Sequence, residues 1–210
     1  MLELVESGGY LMAPILICSV LALAIIVERL WSLRRGKIAP KHLVAQIYNM
    51  RKKNQLDMNA VNKLKESSAL GQVLASGLMT MHHSREVMKE SIEETGRHVV
   101  HDMERYLNML GTIASIAPLL GLLGTVVGMI KVFTAITTQG VGNPAVLAGG
   151  ISEALITTAA GLSVAIPALI ASRYFRRHID GLVVHLEEEA IKLVEVIHGQ
   201  RDSNSMEGVE

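Results

Sequence analysis

The sequence predicts an all-α integral membrane protein with three transmembrane helices, and three observations lead there. Half of its 210 residues are hydrophobic and only 3% are aromatic, and the mean hydropathy is +0.34, a balance typical of membrane chains. Three runs are almost free of charge and reach the length of about 20 residues that a hydrocarbon core requires. The segments between and after them are charged but carry apolar residues at helical spacing. The formal net charge is zero, which argues against a general nucleic-acid binder.

The N-terminus, "MLELVESGG", holds two acids and no Lys or Arg. A secretory signal begins with a positive region, so the first apolar run is expected to stay in the protein. That run, Ser7 to Val27, leads into "ERLWSLRRGK", with Pro14 near its start, where a missing amide proton matters least. Cys18 lies within it and is the single cysteine. It allows no intrachain disulfide and no thiol metal site, and reads as a small buried or lipid-facing hydrophobe.

Gly111 to Ile130 is the second run and Ala145 to Ser172 the third, interrupted only by Glu153. Pro118 and Pro167 lie inside them, where neighbouring helices absorb a kink. Orientation follows from Lys and Arg, which keep a loop in the cytoplasm. The chain before Val27 has none, Glu28 to Asn108 has many, Thr134 to Ala148 has no charged residue, and Arg173, Arg176 and Arg177 follow the third run. The expected order is therefore an outer N-terminus with the first transmembrane helix (1–31), a cytoplasmic helical loop (32–108) and the second transmembrane helix (109–133). A periplasmic loop (134–148), the third transmembrane helix (149–172) and a cytoplasmic C-terminal helix and tail (173–210) complete it. Trp31 with Arg34 and Arg35 reads as an interfacial anchor, and Lys131 as a cation snorkelling to the outer headgroups.

The cytoplasmic part is expected to be helical. No proline occurs between Ser67 and Leu110, and Met88, Ile92, Val99, Met103 and Leu110 recur at helical spacing, so one helix is expected to run into the second span. Phe175, Ile179, Leu182, Leu186, Ala190, Leu193 and Ile197 make a second stripe, with Glu187 to Glu189 facing water. The tail "RDSNSMEGVE" is polar enough to be disordered.

Two small-residue faces stand out. Steps of three or four along the second span give Ala114, Pro118, Gly121, Thr125 and Gly128, and the third span gives Ala154, Thr158, Gly161 and Ala165. Such faces let helices approach closely, and a hydroxyl within one can bond across an interface or to water. On pattern alone they are packing surfaces or the walls of a polar path in equal measure. Glu153 is the single acid within a span, and a charge at such depth needs a wet or paired environment. It is a candidate proton-handling or partner-binding group, unless the helix begins late enough to leave it interfacial.

Enzyme signatures are missing: there is no HExxH, Gly-x-Ser-x-Gly, Walker loop or nucleotide fingerprint. His82 with His83, and His98 with His101, read as surface helix residues rather than metal ligands. The expectation is a protein that is not an enzyme and has no cofactor and no metal.

"APLLGLLGTVVGMIKVF", followed by "GGISEALITTAAGLSVAIPAL", resembles the paired signature of the ExbB/TolQ/MotA proton-channel family, its ExbB branch most of all. The resemblance implies a homo-oligomeric ring, commonly a pentamer, in the inner membrane of a Gram-negative bacterium, driven by the proton motive force. The second and third spans would line a pore around a single-span ExbD- or TolR-like partner with an intramembrane Asp, and a TonB- or TolA-like protein would be the output. By the same resemblance Thr125, Thr158 and Glu153 would lie on the proton pathway. Ala114, Pro118, Gly121, Gly128, Ala154, Gly161 and Ala165 would form a smooth pore wall. An ExbB-type subunit would energise TonB-dependent import across the outer membrane, and a TolQ-type subunit would serve envelope integrity. The chain lacks the longer cytoplasmic region and extra span of the MotA branch. A passive oligomeric scaffold would explain the small faces but gives no reason for Glu153.

Overall fold

The computed structural model describes residues 8–40, 43–52, 56–140 and 144–207, and no strand occurs among them. The helices are α1 (Met12–Ser32), α2 (Arg35–Ile38), α3 (Leu43–Lys52), α4 (Met58–Ser67), α5 (Ala69–Met79), α6 (Arg85–Glu104), α7 (Leu107–Gln139) and α8 (Pro144–Glu207). Among the described residues, three helical stretches are long and apolar enough to cross a membrane: Met12–Ser32, Arg85–Thr138 and Pro144–Gly199. Their apolar side chains are widely exposed, including Val20, Val27, Leu119, Phe133, Leu155 and Ile170. Such a surface suits lipid or neighbouring chains rather than water. The protein is a multi-pass membrane protein.

The chain divides into two compact units. The first comprises the described part of Met1–Arg29 together with Tyr106–Phe175. Pro14 falls in the first turn of α1, where its absent N–H breaks no helical bond. Both α7 and α8 continue through their prolines, Pro118 and Pro167. Arg29 is buried, paired with Glu28, and its guanidinium lies 5.4 Å from the centroid of the Tyr106 ring. Tyr106 precedes α7 with a left-handed backbone, φ 66°. That conformation costs a non-glycine residue about 1–2 kcal/mol, and the cation over its ring offsets part of the cost.

The second unit comprises Leu30–Arg105 and the described part of Arg176–Glu210. Side chains cap its helices: Asp57 accepts from the Ala60 amide at 2.8 Å, Ser68 from Gly71 at 3.0 Å and Ser84 from Val87 at 3.4 Å. Just inside the last of these starts, Glu86 has its carboxyl held below the usual range by its own backbone N–H and by the Ser84 hydroxyl, as suits an acid in a first helical turn. Met88, Ile92, Val99 and Met103 of α6 are buried, as are Ile179, Leu182, Leu186, Ala190, Leu193 and Ile197 of α8. The two amphipathic stripes read from the sequence are thus core faces. Replacing Leu193, 1% exposed, with alanine is expected to cost this unit about 2–5 kcal/mol, seen as a lower melting temperature by circular dichroism.

Three local expectations are corrected. The helical cytoplasmic part does run on into the second span, as the stretch Arg85–Thr138, but it is interrupted by turns at Thr80–His82 and at Arg105–Tyr106. Ser84 supplies a fresh N-cap after the first turn, and Tyr106 turns left-handed at the second. Most of the expected outer loop, 134–148, is helical, because α7 persists to Gln139 and α8 starts at Pro144. Thr134 and Thr138 bond back to the carbonyls of Ile130 and Thr134, both at 2.8 Å, so their hydroxyls are satisfied without leaving the helix. Residues 141–143 lie outside the described part. The polar tail is helical as far as Glu207, propagated from the long helix that precedes it.

Candidate functional site

Glycines on α7 meet small residues on α8 in an antiparallel register. A Cβ on Gly121 would come 3.0 Å from the Thr158 Cα, and one on Gly124 2.5 Å from the Thr157 Cγ2. On Gly128 it would meet the Gly150 carbonyl at 2.9 Å, and on Gly161 the Ala117 carbonyl at 2.5 Å. Real Cβ atoms do not sit as close to backbone as at Gly128 and Gly161, and the contacts at Gly121 and Gly124 leave little or no room for one, so these glycines let the two helices come together. Thr158 uses the proximity: its Oγ1 donates to the Gly121 carbonyl at 2.8 Å.

The candidate small residues fall into two groups. Ala114, Gly121, Gly128, Ala154, Gly161 and Ala165 are buried within the single chain, and Gly121, Gly128 and Gly161 belong to the helix contact just described. Pro118, Thr125, Thr158 and Glu153 are half-buried and retain accessible surface. Thr125 donates to the Leu122 carbonyl of its own helix at 2.6 Å, whereas Thr158 bonds across to α7. The two hydroxyls are thus satisfied by different carbonyls.

Lys131 and Glu153 form an ion pair, Nζ to Oε1 2.6 Å, with side chains 49% and 21% exposed. Lys131 is therefore engaged within the protein, a correction to its reading as a headgroup anchor, and Glu153 is not a lone charge. α8 begins at Pro144, so Glu153 lies more than two turns inside its helix. At the helical rise, each residue lies about 12–14 Å from the nearer end of its helix. Two opposite charges at matching depth on antiparallel neighbours attract more strongly as the surroundings exclude water.

Three residues around this pair escaped the candidate set. Thr157 is buried, and its hydroxyl reaches the Glu153 carbonyl at 2.7 Å and the Gly8 carbonyl at 2.9 Å. Gly9 has a left-handed backbone, φ +68°, and a Cβ there would collide with the Glu153 Oε1. The Gly8–Gly9 turn thus lies against the carboxylate. The sequence signals were weak: a glycine pair beside an apolar run and a second threonine beside Thr158. Among the described residues no group of three or more His, Cys, Asp or Glu could hold a metal ion.

Residues 65–188 match the model of the MotA/TolQ/ExbB proton channel family. An ExbB-like protein of Synechocystis sp. is 37% identical over 170 residues, covering 80% of this chain and 67% of that protein. The biopolymer transport protein exbB1 of Vibrio cholerae is 32% identical over 195 residues, 88% of this chain and 83% of its own length. The biopolymer transport protein ExbB of Pseudomonas putida is 36% identical over 106 residues, 50% of this chain and 32% of its own length.

Proposed function

The chain belongs to the MotA/TolQ/ExbB proton channel family, and we propose that it is the channel subunit of an inner-membrane complex that uses the proton motive force to energise import across the outer membrane. The observation that carries this reading is the half-buried set of Thr125, Thr158 and Glu153 on the predominantly apolar spans of α7 and α8. A polar group kept accessible at membrane depth is costly unless water, an ion or a partner group uses it. Helices with nothing to conduct would be expected to bury it or omit it.

In this reading several copies form a ring around a single-span partner of the ExbD type, whose intramembrane aspartate takes the proton, and a TonB-type protein carries the work outward. The Lys and Arg distribution supports a periplasmic N-terminus and a cytoplasmic second unit. Similarity to proteins named ExbB supports the import role over a TolQ-type role in envelope integrity. The chain supplies a path and a fixed frame, with no enzymatic step of its own. Within it, Pro118 and the accessible edges of Thr125 and Thr158 would face the moving partner. The buried glycines and alanines would set the wall's shape from behind by fixing how closely α7 and α8 pack.

The test is proton uptake by proteoliposomes holding the purified complex with its single-span partner. Thr125→Ala, Thr158→Ala and Glu153→Gln are each expected to reduce uptake about ten- to a hundredfold, the effect of losing a hydrogen bond to a charged species, while the oligomer survives. Wild-type vesicles that hold the intact complex and take up no protons would establish a passive scaffold instead.

A further inference from the structure

We propose that Lys131 and the Gly8–Gly9 turn form a latch that positions the Glu153 carboxylate and covers its Oε1, so that this oxygen is reached only when the latch parts. The inference rests on the channel reading for its purpose, but its geometry stands by itself. Glu153 is held from two directions. Lys131 on α7 grips Oε1 at 2.6 Å, and Gly9 lies so close to the same oxygen that a methyl group has no room between them.

The turn is fixed by two further features. Thr157, one helical turn beyond Glu153, reaches the Gly8 carbonyl at 2.9 Å, and the Met12 amide donates to the Gly9 carbonyl at 3.1 Å as α1 begins. The Gly8–Gly9 turn is thereby tied to the α8 face that carries the acid. Gly9 occupies a backbone region that L-residues rarely adopt, so both its conformation and its missing side chain are needed for the turn to close. Lys131 and Gly9 are positioning residues in this scheme, acting through Glu153.

The latch predicts how readily Glu153 reacts with an apolar carbodiimide, dicyclohexylcarbodiimide, which diffuses through lipid and adds to carboxyl groups. The full-length protein is labelled in its native membrane, and modification of the Glu153 peptide is followed by mass spectrometry. Wild type should label slowly. Lys131→Met should label at least about tenfold faster, corresponding to an interaction of about 1.4 kcal/mol. Gly9→Ala should also label faster, because the turn can no longer close over the oxygen. Lys131→Arg, which keeps a cation at the same place, should return towards the slow rate.

Equal labelling of wild type and Lys131→Met would overturn the proposal, as would Lys131→Arg labelling as fast as Lys131→Met. If Lys131→Met fails to accumulate in the membrane, the double variant Lys131→Met/Glu153→Gln, which leaves no single charge behind, must restore accumulation. Its failure to do so would also overturn the latch. Labelling needs neither the partner nor proton movement. A latch seen by labelling in a complex that moves no protons would therefore refute the channel reading alone, and normal proton uptake with unchanged labelling would refute the latch alone.

Discussion

Gly161→Leu is expected to abolish the cooperative thermal unfolding of the protein. A Cβ at this position would already lie 2.5 Å from the Ala117 carbonyl and 3.2 Å from the Gly121 Cα, and both obstacles are backbone, which cannot rotate aside. Overpacking a tight contact costs about 1–3 kcal/mol for added methylenes, and here the whole of α8 would have to retreat from α7. Retreat also removes the bond from Thr158 to the Gly121 carbonyl. The measurement is a melting curve of the detergent-solubilised protein, with Gly161→Ala as the graded case. Alanine should lower the midpoint and leucine should leave no cooperative transition. Gly149→Ala is the control, because a Cβ there meets nothing within 4 Å, and its midpoint should stay at the wild-type value. A wild-type midpoint for Gly161→Leu would show that the α7–α8 approach described here is wrong.

The second large effect comes from separating the ion pair. Glu153→Ala leaves Lys131 beside apolar helices without its counter-charge. Removing one partner of a fully buried pair costs about 3–5 kcal/mol. Lys131 is 49% exposed, so where its open side meets water or headgroups the loss falls towards that of a surface pair, about 1 kcal/mol or less. A double-mutant cycle with Glu153→Ala, Lys131→Ala and both together separates the pair from its parts. Each single variant should lower the melting midpoint more than the double variant does. If the double variant loses as much as the two singles added, the charges are uncoupled and the contact contributes nothing.

These two experiments touch different parts of the site, and the difference shows why its residues were unequally legible. Gly121, Gly128, Gly161 and Thr158 stand out because an α-helix returns to the same face every three or four residues, and small residues on a bulky helix break its pattern. Glu153 stands out because an acid inside an apolar run needs compensation. Lys131 was equally visible but read as a headgroup anchor, since a lysine near the end of a span has two ways to satisfy its charge and only the neighbouring helix decides between them. Gly8 and Gly9 carried almost no signal. Their importance depends on a contact with residues more than 140 positions away, such as the bond from Thr157 to the Gly8 carbonyl, which no local spacing encodes.

The sequence by itself determined the class of protein, the three spans and the faces that pack. Those properties follow from the length of an apolar run, the 3.6-residue period and the cost of charge in hydrocarbon, all of which are local. The tertiary structure alone decided which side of each span is used up inside the chain. Six of the small residues read as a smooth pore wall are buried within their own chain, while Thr125, Thr158 and Glu153 keep surface available. It also decided that the acid has a partner and a cover. A helix wheel gives the direction a side chain points but not what it meets, and burial, pairing and the collision of a missing Cβ with a carboxylate exist only once two helices and a turn share one place.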